Sequence, residues 1–110
     1  MLSFIEALSV NYYEFMIKYY LYILQCDQVS YYTGITSNLS RRFIEHAQKE
    51  SFYTKRFSTV KLVYHECFAS RLEARKREVQ IKGWTRSKKE ALINGNIKIL
   101  KQLSKKIYPE

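Results

Sequence analysis

Residues Tyr19–His46 read YYLYILQCDQVSYYTGITSNLSRRFIEH, and this stretch decides the fold. Tyr19–Cys26 is aromatic and β-branched with no breaker, so it reads as a strand. Tyr20, Tyr22 and Leu24 share one face, while Leu21, Ile23 and Gln25 share the other. Both faces are mostly apolar, which predicts a central strand covered on both sides. Asp27 and Gln28 make a short turn, and Ser30–Thr36 is expected to return antiparallel. Gly34 interrupts this second strand, a sign of a bulge or of a close approach by another group. Ser37 and Asn38 suit the N-cap of a helix running from Leu39 to about Lys49. Leu39, Phe43 and Ala47 form its apolar row. Arg42 and His46 form a second row one turn apart and can reach the same place. Arg41 and Glu45 take another face.

Downstream, 50–59 is polar, basic and aromatic and reads as a loop. Val60–Glu66 is a third strand, with Val60, Leu62, Tyr64 and Glu66 on one face and Lys61, Val63 and His65 on the other. Ser70 and Glu73 fit a capping box that opens a helix to Lys82. Ala74, Glu78 and Ile81 share one row of it, so Glu78 lies between apolar neighbours, where a carboxylate is costly without a partner. Trp84 is expected to pack over the helix end. Ser87 with Glu90 suggests another capping box and a short helix over Lys88–Asn94, with Gly95 at C′. Asn96 can cap a last helix through Lys106, with Ile97, Leu100 and Leu103 as its stripe. The order is β-β-α-β-α-α-α. This is an α+β fold with a small, mainly antiparallel three-stranded sheet flanked by helices.

The 110 residues fit one domain, with no linker or repeat. The expected division is a domain over 18–93, a C-terminal helical segment over 94–110 packing on it, and an N-terminal extension over 1–17. Leu2, Ile5, Leu8, Tyr12 and Phe15 recur at helical spacing in that extension. Two readings stay open there: an added amphipathic helix, or a chain that starts at Met16. The segment has no basic start and carries Glu6 and Glu14, so it is not a signal peptide, and it is too short to span a membrane. Nineteen Lys and Arg against ten Asp and Glu give a net charge of +9, which favours a polyanionic partner over a membrane. Cys26 and Cys67 lack metal-site spacing and read as reduced thiols of a cytoplasmic protein.

Phosphodiester cleavage needs a general base near water and a cation against the developing phosphorane charge, and it often uses a carboxylate-held metal. Tyr22, Tyr32, Arg42, His46 and Glu78 supply those types. Singly each is weak: most of the ten tyrosines must serve packing, and Glu78 could simply pair with Arg75 or Lys82. Their order and spacing carry the argument. Tyr20-Leu21-Tyr22, Tyr32-Thr33-Gly34 and Asn38–Phe43 continuing to His46 come first. Leu62–Glu66 and Glu73–Lys82 follow. Together, over Lys18–Ile93, they resemble the GIY-YIG nuclease family, in particular its small stand-alone bacterial, UPF0213-like members. The chain departs from the family pattern at Tyr20 and Leu21, which replace glycine and isoleucine, and at Thr33, which replaces isoleucine.

The resemblance implies a metal-dependent DNA endonuclease, of structure-selective or weakly selective cleavage, with a role in repair. Tyr22 would activate the attacking water and Tyr32 would hydrogen-bond in the same site. Arg42 would stabilise phosphorane charge, and His46 would contact phosphate or assist proton transfer. Glu78 would bind one Mg²⁺ or Mn²⁺ ion. Arg41, Lys55, Arg56, Arg75, Lys82 and Lys88, with Arg86 and Lys89, would then contact DNA phosphates. Tyr53 would stack on a base. The alternative is a non-catalytic nucleic-acid-binding module on the same fold.

Overall fold

The computed structural model describes residues 18–48 and 54–104. The expectations for 1–17, for Tyr53 and for the end of the last helix lie outside the described residues. Strands β1 (Tyr19–Cys26) and β2 (Ser30–Thr36) are followed by helix α1 (Leu39–Ala47). A single 3₁₀ turn at Thr54–Arg56 precedes β3 (Val60–Phe68), and α2 (Arg71–Lys82), α3 (Arg86–Ile93) and α4 (Ile97–Ser104) complete the order. The sheet order is β2-β1-β3, antiparallel throughout. The apolar strand is central, as its two apolar faces require.

β1 divides the interior into two layers. Leu21 and Ile23 pack with Ile81 of α2 and Leu92 of α3 on one face, with Trp84 and Leu100 against them. Tyr22, Leu24 and Cys26 face the other way, where Leu39 and Phe43 of α1 cover them. Leu21, Ile23, Leu24 and Ile81 are fully buried, each contributing roughly 1.5–3 kcal/mol of transfer free energy. Cys26 is buried and Cys67 exposed, and they are not bonded to each other.

The hairpin turn is made by Asp27 and Gln28, both at positive φ (52° and 59°). Neither is glycine, so the left-handed backbone costs roughly 1–2 kcal/mol per residue. Side-chain clamps offset that cost. The Asp27 carboxylate accepts from the backbone N–H groups of Ser58 and Thr59 at 3.0 and 2.6 Å. Arg86 donates to the carbonyls of Val29 and Gln28.

Three local expectations change. β3 runs two residues past Glu66, and its alternation breaks. Ile23 pairs with Tyr64 but Leu24 with Leu62, an irregularity that leaves Val63 as the extra residue. Leu62 therefore packs with Tyr22 and Leu24, and Tyr64 with Leu21 and Ile23, so the two do not share a face. The bulge thus lies opposite β1's other edge rather than at Gly34. Helix α3 begins two residues before the expected Lys88. Thr85, extended at φ −65° and ψ 161°, is its cap and accepts from the Lys88 N–H. Glu90 is turned to Arg86 and Tyr31, so the Ser87–Glu90 box does not form. Asn38, rather than Ser37, caps α1, which ends at Ala47.

Candidate active site

The site starts from a missing side chain. Tyr22 pairs across the hairpin with Gly34, and its ring lies directly over that residue. A Cβ on Gly34 would sit 2.5 Å from the Tyr22 hydroxyl oxygen and 2.7 Å from Cζ, well inside contact. Glycine lets the phenol cross the edge strand β2 and carry its oxygen beyond β1. This is the close approach that an isolated strand glycine suggests.

Helix α1 brings two groups to that oxygen. Asn38 fixes the helix start by accepting from the Arg41 N–H at 3.0 Å. Leu39 and Phe43 hold its apolar face on Tyr22, Leu24 and Cys26. The row of Arg42 and His46 then meets the phenol. Arg42 Nε donates to Tyr22 Oη at 3.3 Å, and His46 Nε2 lies 3.0 Å from the same atom. Arg42 is steadied by Glu45, which accepts from its Nη1 at 2.7 Å. Tyr32, on β2, leans over both rings, with centroids 6.1 Å from Tyr22 and 5.1 Å from His46. Tyr22, Tyr32, Arg42 and His46 are thus brought together.

A fifth member escaped the sequence. Thr54, in the 3₁₀ turn, places Oγ1 2.7 Å from His46 Nδ1, and both residues are fully buried. It lies in an aperiodic segment with no motif of its own. The one available signal was indirect: a histidine buried in a core needs a partner for each ring nitrogen.

Burial governs the electrostatics. It pushes the Tyr22 phenol well above its ordinary value, while the hydrogen bond from Arg42 and that residue's charge pull it back. Burial, and next the Arg42 charge, push His46 down to about 4, so its imidazole is neutral at pH 7. The Arg42 guanidinium is held charged, chiefly by its hydrogen bond to Tyr22.

Glu78 stands apart from this group. It is buried on α2 with Ala74 and Ile81, and Ile81 packs on the Leu21–Ile23 face of β1, opposite the face that carries Tyr22. Its partners among the described residues are Arg75 and Lys82, the latter at 3.5 Å. Among the described residues no three His, Cys, Asp or Glu side chains form a ready cation site. The donor chemistry still fits Mg²⁺, which is commonly held by one or two carboxylates with water and substrate phosphate completing the shell. Arg75 and Lys82 are both more than half exposed and can swing away from the carboxylate.

The basic residues divide. Arg41, Lys55 and Arg56 are exposed on the α1 side, on the two segments that supply His46 and Thr54. Lys88 instead lies 4.3 Å over the Trp84 ring, and Arg86 clamps the hairpin turn while stacking on Tyr31. No described helix is long and apolar enough to cross a membrane.

Comparison with known proteins adds an independent result. A model of the GIY-YIG catalytic domain matches residues 18–91. A UPF0213 protein of Staphylococcus haemolyticus is 44% identical over 79 residues, 71% of this chain and 96% of that protein. Another, from Bacillus pumilus, is 42% identical over 77 residues, 69% of this chain and 79% of the relative. Among solved structures, a protein of E. faecalis determined by solution NMR is 29% identical with a TM-score of 0.52, covering 84% of this chain and 95% of its own.

Proposed function

This chain belongs to the GIY-YIG catalytic-domain family, and we propose that it is a divalent-metal-dependent endonuclease hydrolysing DNA phosphodiester bonds. The observation that carries this reading is the Tyr22 oxygen held between Arg42 Nε and His46 Nε2. A structural tyrosine needs one hydrogen-bond partner, whereas this one is set between two nitrogens, one of them permanently cationic. Such an arrangement stabilises a phenolate that can take a proton from water. Arg42, half-buried beside it, also faces the place where an attacked phosphate gains negative charge. Tyr32 orders the same pocket. Glu78 would hold the Mg²⁺ or Mn²⁺ ion, which when bound supplies Lewis-acid stabilisation of the phosphate and leaving oxygen. Phosphate contacts position a duplex without reading its sequence, so structure-selective or weakly selective cleavage, in DNA repair, fits best.

The test is incubation with supercoiled, linear, branched and single-stranded DNA in Mg²⁺, Mn²⁺ or EDTA. Cleavage is expected with either metal and not with EDTA. Arg42→Ala should lower kcat by about 10²–10³-fold. Glu78→Ala should abolish cleavage with DNA binding retained, and full activity in that variant would remove Glu78 from the metal role. A second reading, a binding module without chemistry, is favoured by one fact: Arg75 and Lys82 already engage the Glu78 carboxylate. DNA binding with no cleavage on any substrate in either metal would establish it.

A further inference from the structure

We propose that Thr54 is a positioning residue that sets the tautomer of His46. Its hydroxyl donates to Nδ1, which leaves the ring proton on Nε2 to be donated to the Tyr22 oxygen. The argument begins with hydrogen-bond satisfaction. Thr54 is fully buried, and His46 Nδ1, at 2.7 Å, is the one hydrogen-bond partner of its side chain among the described residues. A hydroxyl that only accepted from Nδ1–H would leave its own O–H unpaired, at a cost of the same order as a lost hydrogen bond. Donating to an unprotonated Nδ1 satisfies both groups. A neutral imidazole has one proton, so that proton is then on Nε2.

The consequence is at Tyr22. Its oxygen receives two N–H donors, from Arg42 Nε and His46 Nε2, and its own O–H must turn away from both. The alternative has Tyr22 donating to Nε2 and passing its proton to His46. That would create an imidazolium in a fully buried place facing the Arg42 cation, with Glu45 already engaged by Arg42. The groups acting on the ring are Tyr22, Tyr32, Arg42, Thr54 and Glu45, and Glu45, the one anion of the set, is bonded to Arg42 and only partly offsets burial and the Arg42 charge. His46 therefore serves as a neutral donor that steadies the phenolate left once the outward-turned Tyr22 O–H has given its proton to solvent, and the proton then taken from the attacking water rests on Tyr22. The orientation of Thr54 stands on the buried geometry alone; its kinetic consequence rests on the nuclease reading above.

The experiment separates the two. Histidine is labelled with ¹⁵N in the ring, and long-range ¹H–¹⁵N spectra of the full chain report which nitrogen carries the proton. His65→Gln assigns the His46 signals. Wild type and Thr54→Ser should show a protonated Nε2 and a bare Nδ1, and Thr54→Val should lose that single-tautomer pattern. In cleavage assays Thr54→Val should lower kcat by about 10–100-fold and move the rising limb of the pH–rate profile upward, with Thr54→Ser restoring both. A proton on Nδ1 in wild type, or an unchanged tautomer in Thr54→Val, overturns the proposal. If Thr54→Val does not fold, the wild-type and Thr54→Ser spectra still decide. The expected tautomer without any cleavage by wild type would uphold Thr54's role and sink the nuclease reading instead.

Discussion

On the proposed reading the Tyr22 oxygen carries negative charge where burial disfavours it, and each neighbour can be judged by how it answers that demand. Gly34 answers by being absent. Gly34→Ala would put a methyl 2.5 Å from the hydroxyl, on a paired strand that cannot retreat. The ring must move, and its bonds to Arg42 and His46 go with it. The expected cost is about 1–3 kcal/mol in denaturant unfolding, as for other overpacked sites, with cleavage lost. His46 answers by staying neutral, which leaves a signature in stability. The unfolded chain takes up a proton at this residue near 6.5, the folded one only near 4. Between those values the unfolded state binds more protons, so stability falls as pH drops from about 6.5 toward 4. The loss attributable to this residue is about 3 kcal/mol. Urea midpoints of wild type and His46→Gln across that window check it, since the variant should lack this component of the slope. Arg42 and His46 were legible as one row of a helix, and Tyr22 was singled out among ten tyrosines by the resemblance of its motif. Thr54 was not, because an aperiodic segment has no periodicity to read and its contact is set by the path the chain takes back to β3.

Strands and helices were legible in order and type, and the misreadings have definable causes. Alternation along Val60–Phe68 assumes an unbroken pleat, but the pairing slips between Ile23 and Leu24, so residues on either side of Val63 exchange faces. Nothing in VKLVYHECF encodes that slip, because both faces of this strand accept apolar residues. At α3 two overlapping caps competed. Ser87–Glu90 has the better pattern, yet Arg86 captures Glu90 at 2.9 Å, and Thr85 is left to bond the Lys88 N–H. The choice is therefore tertiary, since Arg86 also holds the hairpin carbonyls. It follows that Thr85→Ala should cost about 1 kcal/mol of unfolding free energy. Ser87→Ala should stay within about 0.5 kcal/mol of wild type. A larger loss in Ser87→Ala than in Thr85→Ala would mean that the cap lies where the sequence pattern first put it.

The charge of +9 belongs to the whole chain, but the sheet sorts it into two layers. Phosphate binding releases counterions, so log K for DNA should fall linearly with log salt, by about 0.9 for each phosphate neutralised on duplex DNA. Sequence reasoning counts every lysine and arginine alike. The fold separates them, because Arg41, Lys55 and Arg56 flank the elements that build the Tyr22 site, whereas Lys88 lies on Trp84 in the opposite layer. The Tyr22 hydroxyl lies over Gly34 of the edge strand β2, next to α1, so the α1 side is the expected face for an approaching duplex. Arg41→Ala, Lys55→Ala and Arg56→Ala should each lower affinity and reduce the salt slope by up to about 0.9. Lys88→Ala should leave the slope unchanged, since its charge faces away from that approach. Fluorescence anisotropy with a labelled duplex over a range of salt measures all four. A slope that drops for Lys88→Ala and holds for Arg41→Ala would show that DNA docks on the α2–α3 layer. The contact surface would then centre on Glu78's side of the sheet, with the Tyr22 oxygen reached from across the β2 edge.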